Sequence, residues 1–213
     1  MPEGPDAESG REAARGQRPG APDRPPAASA LTTLPNIITF VRLCAVPATV
    51  WLIIQGRLDL AFLLFLGAGL SDALDGWLAR VLDARSSLGA VLDPMADKAL
   101  LVSSYVALAA TGVLPDWLAI LVVFRDTLIV GGVVMLRMMG MPPRISPSRL
   151  SKANTALQIL LVAVALFLRG WPGAVPGALA TLLLEALVPL VAASTLLSGG
   201  AYVAAAARGE GRA

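Results

Sequence analysis

Six stretches of mostly apolar residues follow one another along this chain, at roughly 36–55, 58–81, 95–113, 115–138, 152–170 and 174–197, the last extending toward Ala207. A helix needs about 20 such residues to cross the hydrocarbon core of a bilayer. In lipid every backbone polar group must be satisfied within the protein, so a continuous apolar run of that length folds as a helix. Of 213 residues, 56% are hydrophobic and only 15% charged, where a soluble domain carries about 25% charged. The charges also cluster between the apolar runs. An all-α, polytopic membrane protein with six transmembrane helices is therefore expected.

Two scarcities narrow the chemistry. The chain has no His, which removes imidazole bases, phosphohistidine intermediates and imidazole metal ligands. Its single Cys, Cys44, allows neither an internal disulfide nor a Cys/His zinc cluster. Any bound metal must rely on oxygen ligands, and Cys44 is expected to be a small core residue of the first helix. The net charge of +2 gives no sign of a nucleic-acid-binding patch.

Residues 1–33 are rich in Pro, Gly, Ala, Glu and Arg without apolar periodicity. Such a segment cannot bury enough surface to offset its ordering entropy and is expected to be a disordered tail. It lacks the apolar core of a signal peptide. The catalytic unit is expected over 34–207, with a short tail at 208–213. Pro35, Pro115 and Pro143 punctuate connections, while Pro47 and Pro189 lie inside helices and should kink them. Gly67, Gly69 and Gly76 give the second helix small residues suited to close helix contacts.

Loop charge sets the orientation. Arg11, Arg15, Arg18 and Arg24 precede the first span, and Arg80 and Arg85 follow the second. Arg137, Arg144, Arg149 and Lys152 lie between the fourth and fifth, and Arg208 and Arg212 close the chain. The opposite side carries only Arg57 and Arg169. Both termini and the loop between the second and third spans are expected in the cytoplasm, in a bacterial cytoplasmic (inner) membrane or one of similar character.

That loop is flanked by four aspartates within "SDALDGWLARVLDARSSLGAVLDPMADK". On a helix, three residues advance about 300° and four about 400°. Asp72 and Asp75 thus share one face, and Asp93 and Asp97 share one face of the next helix. Two antiparallel helices would aim both pairs at one volume, where four carboxylates cannot all stay ionised without a cation. A hard divalent ion such as Mg²⁺ or Mn²⁺ resolves the conflict and suits a phosphate-handling site. A D-x-x-D pair alone is common on solvated helix faces, but within a membrane segment ionisable residues are functional candidates. An ion pathway competes here with an enzyme.

The longer pattern is D-x2-D-G-x2-A-R-x8-G-x3-D-x3-D, filled by Asp72, Asp75, Gly76, Ala79, Arg80, Gly89, Asp93 and Asp97. It resembles the signature of the CDP-alcohol phosphatidyltransferase family at every fixed position, and the likeness extends from about Leu34 to the last span. The resemblance implies a six-helix membrane core, usually dimeric, with its site open to the cytoplasm. It also implies a CDP-linked lipid substrate and two divalent ions. Asp72, Asp75 and Asp93 match metal-binding carboxylates, and Asp97 matches the general base, also near the metals. Gly76, Ala79 and Arg80 match positions at the nucleotide, and Asn36 and Arg42 resemble positions lining the nucleotide or lipid entrance.

Physical chemistry is consistent with those roles. Gly76 lets a flat group approach the backbone, and Arg80 offers charge-assisted hydrogen bonds to phosphate. Metals would make CMP a better leaving group, and Asp97 would take the proton from an attacking hydroxyl. Each role has a plainer counterpart: interfacial snorkelling for Arg80, helix packing for Gly76, and an N-cap for Asn36.

The second half resembles the cardiolipin synthases of the family in "FRDTLIVGGVVMLRMMGMPP" and "ISPSRLSKANTALQILLVAVAL", above all in the S-K-x-N-T-x-x-Q run from Ser151 to Gln158. Related phosphatidylglycerophosphate synthases often read G-K-x-K-T there, so Asn154 favours cardiolipin synthase. Arg144, Arg149 and Lys152 form a basic cluster suited to an anionic acceptor, and Arg125 adds a charge inside the fourth span. For Arg144 and Arg149 topology or lipid headgroups are the alternative, and for Arg125 a buried pair with Asp126. The expected reaction is phosphatidyl transfer from CDP-diacylglycerol to phosphatidylglycerol, giving cardiolipin and CMP. Glycerol 3-phosphate is the alternative acceptor, and a cation transporter using the Asp cluster is the alternative of another class.

Overall fold

The computed structural model describes residues 34–81, 89–138 and 149–207. Over these residues the chain forms six α-helices and no strand: α1 (Leu34–Ile54), α2 (Leu58–Val81), α3 (Gly89–Ala110), α4 (Asp116–Met138), α5 (Arg149–Gly170) and α6 (Gly177–Ala207). The proposed tails at 1–33 and 208–213 lie outside the described residues. The helices follow the six apolar runs. Among the described residues three stretches, Asp116–Met135, Arg149–Gly170 and Gly177–Ala204, are long and apolar enough to cross a membrane. Phe40–Ile54 and Leu58–Ser71 are shorter apolar helical stretches. α3 is diluted by Asp93, Asp97 and Lys98 in its first half.

Glycines end two of the helices. Gly56 and Gly112 both take φ of 71°, a left-handed conformation open to Gly without steric cost. Arg57 N–H bonds to Leu52 O at 2.9 Å and Gly56 N–H to Ile53 O at 3.0 Å. Val113 N–H and Gly112 N–H bond likewise to Leu108 O and Ala109 O, both at 2.8 Å. This pair of bonds back into the last turn satisfies carbonyls that a helix end leaves open. α1 and α6 continue through Pro47 and Pro189.

The helices pack as a bundle in which α1 lies on α2 and α3, α2 on α5, α5 on α6, and α4 between α3 and α6. Each turns a stripe inward at spacings of three and four residues. On α1 the stripe is Arg42, Ala45, Thr49 and Ile53; on α2 it is Ala61, Phe65 and Ala68. α3 contributes Leu101, Tyr105 and Leu108, and α5 contributes Leu161, Val162, Ala165 and Leu166. Large apolar side chains such as Trp51, Leu63, Ile120, Phe124, Leu182 and Leu197 point outward. An exterior of that kind suits lipid and would be a liability in water.

Two sequence expectations are corrected by this arrangement. Cys44 is exposed, because it falls between the inward residues Arg42 and Ala45 and turns away from the bundle. Gly67 and Gly69 have nothing within 4 Å of where a Cβ would stand, so they mediate no close helix contact within this chain. α2 meets its neighbours instead through Ala61, Phe65 and Ala68.

The close approach lies elsewhere. A Cβ on Gly170, the last residue of α5, would stand 2.6 Å from the backbone nitrogen of Asp59 and 2.9 Å from its Cα. The end of α5 thus rests on the start of α2, backbone to backbone. Phe62, Phe167 and Trp171 surround that contact, with all three ring centroids 5.5 Å apart. Backbone cannot yield as a flexible side chain can, so Gly170→Ala should destabilise the bundle by about 2 kcal/mol or more, in the range of overpacking. Thermal unfolding of the purified variant in detergent is the check, with Gly69→Ala, where space is open, expected to be close to neutral.

Candidate active site

Asp97 stands on α3, two turns from its start, and 47% of its side chain is exposed. Arg42 of α1, only 2% exposed, donates from Nη1 to Asp97 Oδ1 at 2.9 Å. A guanidinium buried among apolar neighbours needs an anion, and a charge-assisted bond fixes the carboxylate it meets. Asp97 and Arg42 line a cavity of about 190 Å³ together with Ala68 and Gly69 of α2, Lys98 of α3, and Thr155 and Ile159 of α5. Four helices thus converge on the exposed carboxylate. With Gly69 on the α2 wall, the backbone there is open to a ligand.

Beside the cavity runs a chain of paired charges. Lys98 Nζ donates to Asp126 Oδ2 at 2.6 Å, and Arg125 Nη1 donates to Asp126 Oδ1 at 2.7 Å. Arg125 and Asp126 are both buried. The other Arg125 nitrogen, Nη2, donates to Ser151 Oγ of α5 at 2.8 Å and Ser198 Oγ of α6 at 2.5 Å. One carboxylate thus balances two cations, and the network joins α3, α4, α5 and α6. It places the Lys98 ammonium on the cavity wall next to Asp97.

A second, neutral network locks α5 to α6. Asn154 Oδ1 accepts from Ser194 Oγ at 2.7 Å and Thr195 Oγ1 at 2.9 Å. Gln158 Nε2 donates to Thr195 Oγ1 at 3.4 Å, and Tyr105 donates to the Gln158 carbonyl at 3.1 Å. Asn154 and Gln158 are wholly buried.

The residues singled out from sequence therefore divide. Asp97 lies at the cavity. Arg125 is in the buried pair with Asp126 and is not among the residues lining that cavity. Arg149 and Lys152 are exposed on the first turn of α5, one turn before Thr155, which does line it. Asp72, Asp75, Gly76, Ala79 and Arg80 belong to α2, Asp93 to α3 and Asn36 to the first turn of α1. Their side chains lie outside the described residues, as does Arg144 altogether. α1 begins at Leu34, before Asn36, so Asn36 is not at the capping position. Among the described residues no group of three or more potential metal ligands is assembled; Asp97 is the carboxylate that α3 brings to the cavity within that set.

The pairing of Arg42 with Asp97, and the cavity positions of Lys98 and Thr155, were not assigned from sequence. The signal available for Lys98 was an ionisable residue inside a membrane segment. For Thr155 there was none, since its facing depends on how α5 is rotated. The rotation also changes the meaning of Asn154, whose side chain faces α6 and not the cavity.

A family model described as CDP-alcohol phosphatidyltransferase matches residues 32–193. The chain belongs to the CDP-alcohol phosphatidyltransferase family. It is 39% identical over 145 residues to a Schizosaccharomyces pombe cardiolipin synthase (CMP-forming) / mitochondrial hydrolase fusion protein, covering 61% of this chain and 24% of that one. It is 35% identical over 150 residues to the Homo sapiens cardiolipin synthase (CMP-forming), covering 63% of this chain and 50% of the relative. A rice (Oryza sativa subsp. japonica) chloroplastic CDP-diacylglycerol–glycerol-3-phosphate 3-phosphatidyltransferase is 35% identical over 150 residues, 62% of this chain and 46% of its own. The chain spans about half or less of the length of these curated relatives. As a member of this family it is a membrane protein, and the stretch from Asp72 to Asp97 that resembles the family signature ends on Asp97, a carboxylate at the four-helix cavity.

Two substitutions test the networks in this family member. Asp126→Asn leaves Lys98 and Arg125 buried or half-buried without their anion, and should cost about 3 kcal/mol, read as a lower unfolding temperature. Asn154→Lys puts an ammonium into a fully buried position facing α6, and should cost about 2 kcal/mol or more. A switch of acceptor with unchanged thermal stability would contradict the buried placement of Asn154.

Proposed function

We propose that this protein transfers the phosphatidyl group of CDP-diacylglycerol to a hydroxyl of an anionic glycerol-type acceptor, with release of CMP. Phosphatidylglycerol is the acceptor we favour, which makes the product cardiolipin. The observation that carries the reading is the exposed Asp97 carboxylate, held by buried Arg42 at the mouth of a four-helix cavity and occupying the last position of the family signature. Relatives named cardiolipin synthase (CMP-forming) support the acceptor. The rice relative, named for glycerol 3-phosphate, favours the second reading, the same chemistry on that smaller anion.

In this reading the acceptor hydroxyl approaches the lipid-bearing phosphoryl, and Asp97 accepts its proton as the new phosphoester bond forms. The bond to CMP breaks in the same displacement, and no covalent enzyme intermediate is required. Arg42 orients the Asp97 carboxylate from behind. Lys98 places a positive charge on the cavity wall, where an anionic acceptor or the diphosphate passes, and Asp126 fixes its position. Lys152, Arg149 and Arg144 draw the acceptor phosphate toward the start of α5, and Arg125 supports that end of the helix through Ser151. Asn36, Gly76, Ala79 and Arg80 receive the nucleotide end of the CDP-lipid.

The donor set offered by Asp72, Asp75, Asp93 and Asp97 is all oxygen, in a chain with no His, and suits Mg²⁺ or Mn²⁺. Two such ions, when bound, would neutralise the diphosphate and stabilise CMP as it leaves. Cytoplasmic placement of this end of the bundle, in a bacterial inner membrane, rests on the loop charges. The homodimer implied by the family resemblance belongs to the same proposal.

Membranes of an expressing strain, given radiolabelled CDP-diacylglycerol, should release CMP in a Mg²⁺- or Mn²⁺-dependent way. Release should rise with phosphatidylglycerol and yield a product of cardiolipin mass. Stimulation by glycerol 3-phosphate instead would select the second reading, and no release with either acceptor would sink both. Asp97→Asn should lower turnover about 100-fold or more while metal binding largely survives.

A further inference from the structure

The opposite end of the bundle holds the larger cavity. It measures about 660 Å³ and opens between the α3–α4 turn, the end of α5 and the first turns of α6. Its walls are mostly apolar, including Val113, Leu114, Leu184 and Val188, but they carry one cation, Arg169, and one anion, Glu185. Both charged residues are exposed. Among the described residues neither is paired, whereas Arg57 at the same end is bonded to Asp59 at 3.5 Å.

The position of Glu185 makes this unusual. It lies within Gly177–Ala204, a stretch long and apolar enough to cross a membrane, eight residues after the start of α6, or about 12 Å along the axis. α6 has 31 residues, about 46 Å of helix, close to the full thickness of a bilayer with its headgroups. Glu185 is thus placed near the boundary between headgroups and hydrocarbon. An ionised carboxylate at that depth is costly without a partner. Trp171, in the connection that follows Arg169, is of the type enriched at this level of the membrane.

We propose that this cavity binds a zwitterionic phospholipid carrying a primary ammonium, as in phosphatidylethanolamine. The lipid phosphate meets the Arg169 guanidinium, the ammonium meets the Glu185 carboxylate, and an acyl chain lies along Leu184 and Val188. The charge pattern selects this occupant. An anionic headgroup would satisfy Arg169 but be repelled by Glu185, and a quaternary ammonium cannot donate a hydrogen bond to the carboxylate. The site is remote from Asp97, at the other end of α3, and is independent of the proposed reaction.

The full-length protein, purified in detergent and stripped of lipid, can be titrated with dioleoyl phosphatidylethanolamine, phosphatidylcholine and phosphatidylglycerol, and lipid retention followed by native mass spectrometry. Phosphatidylethanolamine should be retained best, by about five-fold over phosphatidylglycerol, the size of one exposed ion pair. Glu185→Gln should remove that preference, and Arg169→Gln should weaken retention of all three. Thr181→Trp, which fills the cavity and leaves both charges in place, should expel the lipid even if the charge variants fail to fold. Equal retention of ethanolamine and glycerol lipids by the native protein, an unchanged preference in Glu185→Gln, or undiminished retention in Thr181→Trp would each overturn the proposal. CMP release, measured on the same samples, reads the catalytic proposal separately.

Discussion

A carboxylate shared by two cations in an apolar bundle is the constraint on which the rest of this structure turns. Asp126 is bonded to Lys98 at 2.6 Å and Arg125 at 2.7 Å. Where lipid surrounds the helices, no bulk water can substitute for either contact, so the three charges must be brought together for the bundle to close. Because they come from α3 and α4, and Arg125 also reaches Ser151 and Ser198, satisfying one anion aligns four helices. The alignment fixes the register of α3 against its neighbours and hence where Asp97, the residue just before Lys98, stands.

The two ends of the bundle then differ in what holds them. Toward Asp97 the helices meet through ions and hydroxyls: Arg42 with Asp97, the Asp126 pairs, and Asn154 with Ser194 and Thr195. Further along α3, contacts are made by Tyr105, Leu108, Leu118, Val122, Leu161 and Leu166, all fully buried. Directional bonds position groups sharply but tolerate exchange with polar ligands, while close apolar packing resists opening.

Much of the architecture was legible in the order of residues. The apolar runs at 58–81 and 115–138 coincide with α2 and α4 to within a residue. The third apolar run spans roughly 95–113, but α3 begins at Gly89 and ends at Ala110, since a helix can continue through charged residues that break an apolar run, and Gly112 stops it by turning left-handed. The last member of the aspartate signature, Asp97, lies at the four-helix cavity, while the side chains of Asp72, Asp75 and Asp93 lie outside the described residues. What sequence did not disclose depends on helix rotation. Cys44 faces outward though its neighbours are apolar, Asn154 faces α6 through Ser194 and Thr195, and Thr155 beside it faces the cavity. For Arg125 the sequence allows either an acceptor ligand or a buried pair, and its geometry is that of the pair. No local pattern distinguishes Asn154 from Thr155; the choice is made by which face of α5 meets α6.

The backbone contact between Gly170 and Asp59 has a mechanical meaning. Two rods touching without side chains between them, and wedged by three aromatic rings, behave there like a fulcrum. Any splaying of α2 from α5 must then grow with distance from that point and be felt at Gly69 and Thr155, which line the cavity. A lipid as bulky as the proposed donor could enter the polar end by leverage about this pivot, with the far end of the helix pair scarcely stirring.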